Sequence, residues 1–367
     1  MPLRVRQICT GVFHSLALLE NGNVIGWGRN NEFQTIIPDF GGRRAIRISA
    51  GSEHSLALLE DGTVIGWGSN RLGKINIPDF DGRRVMQINA GQNHSLALVE
   101  DGTVTGWGEN NYVFNQIIIP NFGGRRVTQI STGYNHSLAL LEDGTVIGWG
   151  DYRRGQRTIP DFGVRRVTQI SAGGNHSLAL LEDGNVIGWG WNFFGQRTIP
   201  DFDGRRVIQI SAGGEHSLAL LEDGTVRAWG NEHRAIIPNF GGKRVTQISA
   251  GGFHSLVLLE DGTVDGWGLN AAGQITIPDF SLSPPPPPPP PYVRLPDSNI
   301  PDEPTVANYQ ALKQRVECPQ CHVNIKKVLL NCNHALCETC SSALTNCPVC
   351  AKIITSKTVF HKKYLKN

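Results

Sequence analysis

Residues 172–190 read AGGNHSLALLEDGNVIGWG, and near copies of this stretch recur through the first three quarters of the chain. Every copy continues to an Ile-Pro-(Asp/Asn)-Phe tetrad, first at residues 37–40 and last at 277–280. The histidine of each copy marks the period, with separations of 40, 40, 42, 40, 40 and 38 residues. Seven units therefore fill residues 1–280, and their histidines are His14, His54, His94, His136, His176, His216 and His254.

Two apolar segments in each unit flank an Asp-Gly pair, as at Asp61-Gly62, or Asn21-Gly22 in the first unit. Asp-Gly between such segments is a strong signal for a two-residue β-hairpin. A short segment before the histidine, such as 126–131, and another that ends at Ile-Pro add two more strand candidates per unit. Four short strands per unit describe a propeller blade. The sequence therefore predicts an all-β, seven-bladed β-propeller over residues 1–280, closed without long exposed sheet edges.

One histidine and one tryptophan stand at the same place in every unit, and they could be mistaken for a ring of ligands. A repeated packing requirement explains them better, with each imidazole bonded to backbone and each indole filling the gap between sheets. The tryptophans are Trp27, Trp67, Trp107, Trp149, Trp189, Trp229 and Trp267. Basic pairs such as Arg43-Arg44 and acidic pairs such as Glu60-Asp61 also repeat, and we expect them to balance one another at a solvated rim.

The units differ mainly in two places, and positions that vary are free to recognise a partner. One is the residue pair before each histidine, and the other is the loop that follows each Gly-Trp-Gly. Exposed aromatic residues beside Asn and Arg are typical of protein interfaces. The sequence therefore predicts partner-binding loops that carry Tyr112, Phe114, Trp191, Phe193 and Phe194.

The C-terminal quarter begins with a proline-rich linker, residues 281–304, which includes eight consecutive prolines at 284–291. Such a run forms a polyproline II strut. Residues 305–317 are predicted to form a short helix, residues 318–350 a zinc module, and residues 351–367 a basic tail.

The zinc module is predicted from eight thiol and imidazole side chains, spaced Cys-x2-Cys-x10-Cys-x1-His-x2-Cys-x2-Cys-x6-Cys-x2-Cys. Tetrahedral zinc needs four such ligands, so eight make two closed structural sites without an open position for catalysis. The predicted cofactor is thus two zinc ions, held by Cys318, Cys321, Cys332, His334, Cys337, Cys340, Cys347 and Cys350.

The GxxHSLAL, EDGxV and GWG elements together resemble the repeats of the regulator of chromosome condensation family. Members of that family range from nucleotide exchange factors to substrate receptors of ubiquitin ligases, so this resemblance implies a fold more than an activity. Exchange factors act on the Ran GTPase through a wedge inserted in one blade. No unit here holds an insertion longer than about two residues relative to the common period, which weakens that interpretation.

The order of three cysteines, one histidine and four cysteines resembles the RING finger, in particular those of inhibitor-of-apoptosis proteins. That resemblance implies a small cross-braced double-zinc domain, with Cys318, Cys321, Cys337 and Cys340 on one ion and the other four ligands on the second. It also implies a homodimer through this domain, and a surface for a ubiquitin-conjugating enzyme at Pro319, Gln320, Leu344 and Pro348. Gln320 stands where Ile or Val is usual, and Ala351 stands where a basic residue is usual.

The function predicted is that of a RING-type ubiquitin-protein ligase whose propeller binds an unidentified target, without a covalent catalytic cysteine. The alternatives are a non-enzymatic zinc-binding interaction scaffold and a Ran-type exchange factor. Residues 1–291 hold 24 basic and 27 acidic side chains, a net charge of −3 that disfavours nucleic acid as a partner. Paired cysteines without a disulfide-like pattern and the lack of a long apolar run favour an intracellular protein, cytoplasmic or nuclear, that is not membrane-bound.

Overall fold

The computed structural model describes residues 3–110 and 114–280, and, in the C-terminal part, the backbone of three short strands at 328–330, 335–336 and 357–359. The chain divides into two units, Met1–Pro287 and Pro288–Asn367. Among the described residues, no helix has the length and apolar character needed to cross a membrane.

The first unit consists of seven antiparallel sheets of three strands, which we number as blades 1 to 7. In chain order the strands are β1 Val5–Thr10, β2 His14–Leu19, β3 Val24–Gly28; β4 Ala45–Ala50, β5 His54–Leu59, β6 Val64–Gly68; β7 Val85–Ala90, β8 His94–Val99, β9 Val104–Gly108; β10 Val127–Thr132, β11 His136–Leu141, β12 Val146–Gly150; β13 Val167–Ala172, β14 His176–Leu181, β15 Val186–Gly190; β16 Val207–Ala212, β17 His216–Leu221, β18 Val226–Gly230; and β19 Val245–Ala250, β20 His254–Leu259, β21 Val264–Gly268. Two 3-10 turns, Arg71–Gly73 and Glu232–Arg234, lie between blades.

The Asp-Gly pair, which is Asn21-Gly22 in blade 1, lies in the hairpin turn between the second and third strands of each blade. In blade 2, Gly62 has a φ of +87°, a value that glycine adopts without steric cost. The amide of Leu59 donates to the carbonyl of Thr63, and the amide of Thr63 donates to Oδ1 of Asp61 at 2.9 Å. The prediction of a hairpin at Asp61-Gly62 is confirmed, but its loop has three residues, 60–62, rather than the two predicted.

The prediction of four strands per blade is wrong, because the described part of each blade contains three. The segment that ends at Ile-Pro lies against the third strand without joining its ladder. In blade 1, a Cβ built on Gly26 would lie 2.9 Å from Cα of Thr35, and the amide of Ile36 donates back to the carbonyl of Phe33. Pro38 has no amide proton to offer a neighbouring strand. Proline and the preceding turn thus explain the missing strand.

The hydrophobic core lies between neighbouring blades rather than within them. Leu16 and Leu18 of blade 1 pack with Ile48, Leu59 and Trp67 of blade 2, and six similar clusters follow around the first unit. The phenylalanine of each Ile-Pro-(Asp/Asn)-Phe tetrad meets the tryptophan of the next blade, with ring centroids 6.0–6.4 Å apart. Burying one such large apolar side chain contributes roughly 1.5–3 kcal/mol, so every interface between blades is strongly stabilised.

The ring closes without a blade shared between the two ends of the repeat region. Val5, Ile8 and Trp27 of blade 1 pack with Leu256 and Leu258 of blade 7 in the same kind of cluster that joins the other blades. The first strands β1, β4, β7, β10, β13, β16 and β19 contact one another in turn, and β19 contacts β1. Closure therefore relies on side-chain contacts between complete blades.

In the second unit, the described strands form one small antiparallel sheet. Its strands are β22 Val328–Leu330, β23 Ala335–Leu336 and β24 Lys357–Val359. Leu329 of β22 lies opposite Ala335 on one side and opposite Thr358 on the other.

Candidate partner-binding face

The repeated histidines bind the neighbouring blade through a serine hydroxyl. Nε2 of each histidine lies 2.8–2.9 Å from Oγ of the serine that follows the histidine in the next blade, as for His136 and Ser177. The expectation that the imidazole binds backbone is wrong, since the closed ring brings a side-chain hydroxyl within reach first. Burial lowers the pKa of six of these histidines to about 3 and that of His54 well below its usual value.

A glycine three residues before each histidine makes room for this contact. A Cβ built on Gly213 would lie 2.6 Å from Cε1 of His216 and 2.6 Å from the carbonyl oxygen of Gly251. Such distances are shorter than real contacts of a Cβ atom, so the Ala-Gly or Thr-Gly of the repeat serves the fit between blades.

The repeated tryptophans are also structural. The indole Nε1 of Trp67 and Oγ of Ser55 both donate to the carbonyl oxygen of Gln34 in the preceding blade, each at 2.9 Å. At each of the six remaining interfaces between blades, the equivalent carbonyl oxygen accepts the indole proton of the tryptophan. These bonds satisfy buried polar groups that would otherwise destabilise the core. In the described part of the chain, no group of His, Cys, Asp or Glu has the arrangement of a metal site.

The face that carries the Asp-Gly hairpins, here called the hairpin face, is uniform and charge-balanced. The first basic residue of each pair meets a hairpin aspartate of its own blade, as Arg43 meets Asp61 at 3.1 Å. The second donates to a hairpin carbonyl of the preceding blade, as Arg44 does to Glu20 at 2.7 Å. The expected balance of rim charges is confirmed, and the repeated basic residues already have partners within the fold.

The two places where the repeats differ lie together at the opposite face. The pair before each histidine joins the first strand to the second, and the loop after Gly-Trp-Gly leaves the third strand at the same end of the sheet. A backbone hydrogen bond ties them in every blade, as from the amide of Arg29 to the carbonyl of Phe13. We call this the variable face. The structure thus brings together the two places where the blades differ most.

Blades 3, 4 and 5 place arginines and aromatic rings in contact on the variable face. The guanidinium of Arg153 lies over the ring of Phe114 at 4.4 Å, and that of Arg154 lies over Trp191 at 5.7 Å. Trp191 and Phe193 are stacked with centroids 6.0 Å apart, and Phe194 meets both rings edge-on. Four of the five predicted loop residues are therefore found in one chain of contacts. The fifth, Tyr112, lies outside the described residues.

Two glutamates of the variable face each form an ion pair with a basic residue of the same blade. These pairs were not predicted from the sequence. Glu53 and Glu215 stand before the histidines of blades 2 and 6. In those two blades, the glutamine usual in the following loop is replaced by Lys74 or Arg234, which lie 3.5 Å and 3.4 Å from the glutamate oxygens. The joint replacement is visible when the seven repeats are aligned with one another. It neutralises the buried ammonium group of Lys74.

Tyr134 belongs to the variable pair before His136. Its contacts with the following blades were not predicted from the sequence. Its ring extends from blade 4 across blades 5 and 6, where a Cβ on Gly174 would lie 3.0 Å from Cε2 and one on Gly214 would lie 2.7 Å from the hydroxyl. Burial raises the pKa of this phenol to about 12. Gly174 and Gly214 therefore leave room for the Tyr134 side chain, and their lack of a side chain is the feature of the sequence that could have predicted this contact.

The residues predicted to hold zinc and to contact a conjugating enzyme lie outside the described residues. They are the eight ligands Cys318, Cys321, Cys332, His334, Cys337, Cys340, Cys347 and Cys350, together with Pro319, Gln320, Leu344 and Pro348. Cys332 and His334 fall in sequence between β22 and β23, and Cys337 directly follows β23.

The regulator of chromosome condensation (RCC1) repeat matches seven segments that together make up more than half of the chain: residues 5–34, 45–74, 85–112, 127–156, 167–196, 207–234 and 245–274. The chain belongs to the RCC1 repeat family. Each matched segment begins at or near the first strand of a blade and extends into the loop on the variable face. The RCC1 repeats are thus the seven blades.

Solved structures show the same fold. The ectodomain of the receptor kinase ACR4 from Arabidopsis thaliana is 19% identical, with 74% of this chain and 98% of that chain covered at a TM-score of 0.61. Prp20p from Saccharomyces cerevisiae, described with its binding properties to Gsp1p and histones, is 22% identical, with 75% and 83% covered at a TM-score of 0.59. Identities this low show a common fold and leave the activity open.

Two curated relatives match short segments of this RCC1 repeat protein. The E3 ubiquitin-protein ligase RGLG4 of Arabidopsis thaliana is 38% identical over 54 residues, 15% of this chain and 14% of the relative. The E3 ubiquitin-protein ligase MIB2 of Gallus gallus is 37% identical over 49 residues, 13% of this chain and 5% of the relative. The matches thus span a small part of either relative's length.

Proposed function

We propose that this RCC1 repeat protein is a RING-type ubiquitin-protein ligase, in which the propeller binds the target and residues 318–350 position a charged ubiquitin-conjugating enzyme. The observation that carries the proposal is the spacing of seven cysteines and one histidine in that segment. Similarity to short segments of two E3 ubiquitin-protein ligases supports it.

The donor set fits zinc by its chemistry. Thiolate and imidazole are the ligands that tetrahedral structural zinc prefers, and eight of them complete two sites. In the cross-braced pairing, Cys332, His334, Cys347 and Cys350 take the second ion. The pairing of β22 with β23 is compatible with ligands at Cys332 and His334, since only four residues separate the two strands. Zinc would stabilise this small segment, which is too short to bury a large core of its own.

The proposed chemistry is catalysis by positioning. Pro319, Gln320, Leu344 and Pro348 form the surface for the conjugating enzyme, which carries ubiquitin as a thioester. Holding that thioester in a reactive orientation accelerates attack by a lysine amine of the target, and the amine displaces the thiol of the conjugating enzyme. The RING segment supplies no nucleophile of its own.

The propeller provides the target-binding half of the proposal. The repeated charges of its hairpin face are paired within the fold, whereas its variable face holds the two places where the blades differ most. Aromatic side chains beside arginines, as in blades 3 to 5, are the residues that contribute most at protein interfaces. A receptor domain joined to a ligase module would need one such surface.

The test is a self-ubiquitination assay with the full chain and a panel of conjugating enzymes. We expect ubiquitin conjugates with the unchanged protein and none with Cys332→Ala or Leu344→Ala. Cys9→Ser is the matched cysteine control, because Cys9 lies half-buried in the propeller, where its Sγ accepts a hydrogen bond from the amide of Ala50. Metal analysis should give two zinc ions for Cys9→Ser and fewer for Cys332→Ala. Conjugate formation that is equal in all four proteins would exclude the RING mechanism.

Two other functions lead to different results in the same experiments. A non-enzymatic scaffold would hold two zinc ions and yield no conjugates with any conjugating enzyme. An exchange factor is favoured only by the fold likeness to Prp20p, and the nearly constant repeat length leaves no room for an inserted wedge. Accelerated nucleotide release from Ran by the full chain would support that function in place of the ligase.

A further inference from the structure

The variable face carries an uneven distribution of charge. Its residues are the pair before each histidine and the loop after each third strand, at 29–35, 69–75, 109–117, 151–157, 191–197, 231–235 and 269–275. Blades 4 and 5 together hold four arginines and one aspartate, a net charge of +3. The other five blades hold four basic and five acidic residues, a net charge of −1. We call residues 151–157 and 191–197 the blade 4–5 sector.

The arginines of the blade 4–5 sector are also the least neutralised. Elsewhere on the face, Lys74 is paired with Glu53 and Arg234 with Glu215. Within the sector, Asp151 binds Arg153 at 2.9 Å. Across the described residues, Arg154, Arg157 and Arg197 make no ion pair, although Arg157 donates to the carbonyl oxygen of Gly150 at 3.3 Å. No carboxylate therefore neutralises these three positive charges.

Aromatic rings lie beside two of these three guanidinium groups. Arg154 rests over Trp191 and Arg157 over Tyr152, at 5.7 Å and 4.9 Å. Phe193 is 76% exposed and Tyr152 is 54% exposed, although both are large apolar side chains. Stacking on an aromatic ring holds a guanidinium in one place, which reduces the entropy lost when it binds a carboxylate. The sector therefore combines fixed positive charge with an apolar surface for an anchor residue.

We propose that the blade 4–5 sector binds an acidic peptide segment that carries a large apolar side chain. The carboxylates pair with Arg154, Arg157 and Arg197, and the apolar side chain packs on Phe193. Bidentate pairing with carboxylates is the geometry that guanidinium groups favour. This proposal rests on the proposed function in one respect: the acidic segment is taken to be part of the target of the ligase.

A single-stranded nucleic acid is the other polymer that combines negative charge with flat apolar groups. The sector fits it less well, because Trp191 and Phe193 stack on each other and Phe194 abuts both rings. The faces that bases would need are thus partly occupied. The net charge of −3 on residues 1–291 also opposes a polyanion with evenly spaced phosphates.

The test is selection from a random peptide library with the immobilised, zinc-loaded full chain, followed by affinity measurements on the enriched peptides. We expect enriched peptides to contain several Asp or Glu residues and at least one Phe, Trp or Leu. The double substitution Arg154→Ala/Arg197→Ala and the single substitution Phe193→Ala should each weaken binding by at least about tenfold, and added salt should weaken it further. Random single-stranded RNA serves as the competitor.

Matched controls come from blades 1 and 2 of the same face, which together carry a net charge of +1. Phe33 of blade 1 is 63% exposed, and Arg71 of blade 2 makes no ion pair in the described part of the chain. Phe33→Ala and Arg71→Ala should leave peptide affinity unchanged within about twofold, as expected for surface residues outside the contact.

Three outcomes would overturn the proposal: no enrichment, enriched peptides without acidic residues, or equal losses in the control variants. Displacement of the peptides by RNA at lower concentration would assign the sector to nucleic acid instead. Cys332→Ala separates this proposal from the ligase function, because it should abolish ubiquitin transfer and leave peptide binding intact. Peptide binding without transfer by the unchanged protein would contradict only the ligase function.

Discussion

Nε2 of His136 lies 2.9 Å from Oγ of Ser177 in the next blade, and both side chains are fully buried. Ser177 in turn donates to the carbonyl oxygen of Gln156, which also accepts the indole proton of Trp189. One imidazole therefore joins two blades and a connecting loop. Seven such contacts, one at each interface between blades, form a closed ring of hydrogen bonds around the propeller.

The substitution His136→Ala should destabilise the propeller, because it removes the bond to Ser177 and leaves a cavity. A lost buried hydrogen bond with a cavity typically costs about 2–4 kcal/mol in the free energy of unfolding. Chemical denaturation monitored by tryptophan fluorescence measures this loss. His233→Ala is the control, since His233 is largely exposed and its removal should leave the unfolding curve unchanged. Equal stability of both variants would show that the imidazole contact contributes nothing.

The stability of the propeller should fall as the pH is lowered from neutrality. Burial lowers the pKa of His136 and of five other histidines of the ring from 6.5 to about 3, and that of His54 well below 6.5. The unfolded chain therefore binds protons below about pH 6.5, while the folded chain stays neutral at these sites down to about pH 3. Their contribution is full above pH 6.5 and is lost progressively as the pH falls towards 3. Denaturation curves at several pH values should show up to about seven protons taken up on unfolding. A stability independent of pH between 7 and 4 would contradict the buried neutral ring.

Arg47 interrupts a second set of contacts between blades, and Arg47→Gln should increase stability. At most interfaces, a glutamine of the first strand bonds to the next blade, as Gln7 does with the amide and carbonyl of Ile48 at 3.1 Å. Arg47 stands in that position in blade 2 and offers only donors, so it cannot accept the amide proton of Ile88. Restoring the glutamine should add about 0.5–1.5 kcal/mol to the free energy of unfolding. The reverse change, Gln87→Arg, should lower it; the same shift in both variants would refute the assignment.

Self-modification by the proposed ligase should occur outside the propeller. Eight of the ten lysines lie beyond residue 312, and the other two are Lys74 and Lys243. The side chain of Lys74 is 2% exposed and paired with Glu53, and the ammonium of Lys243 lies 2.6 Å from Asp261 on the hairpin face. A buried or paired amine attacks a thioester poorly. Mass spectrometry of the modified full chain should therefore find ubiquitin beyond residue 312, and modification mainly at Lys74 would contradict the structure.

The features of the propeller that could be predicted are those decided by local chemistry. The Asp-Gly hairpin follows from turn geometry, and the number of blades follows from counting the repeats. The partner of each histidine could not be predicted in the same way, because it lies in the next blade, about one repeat away in the sequence. The serine after each histidine was nevertheless a visible signal. The fourth strand was predicted from its apolar residues, and Pro38 and its equivalents prevented it.

The candidate site shows a similar division. That the two variable places share a face follows from the order of strands in a blade, and the sequence already pointed to Phe114, Trp191, Phe193 and Phe194. The pairing of Glu53 with Lys74 needed a comparison between blades, and the free guanidinium groups of the blade 4–5 sector needed the structure. Charge neutralisation depends on distances that no single repeat reveals.

The most direct measurement of the ligase function is the release of ubiquitin from a pre-charged conjugating enzyme to free lysine, in a single turnover. The full chain, carrying two zinc ions by metal analysis, should accelerate this release by at least about tenfold through positioning alone. Leu344→Ala should abolish the acceleration with the zinc content unchanged. Release at the uncatalysed rate with every conjugating enzyme in the panel would contradict the account and leave the protein a zinc-binding interaction scaffold.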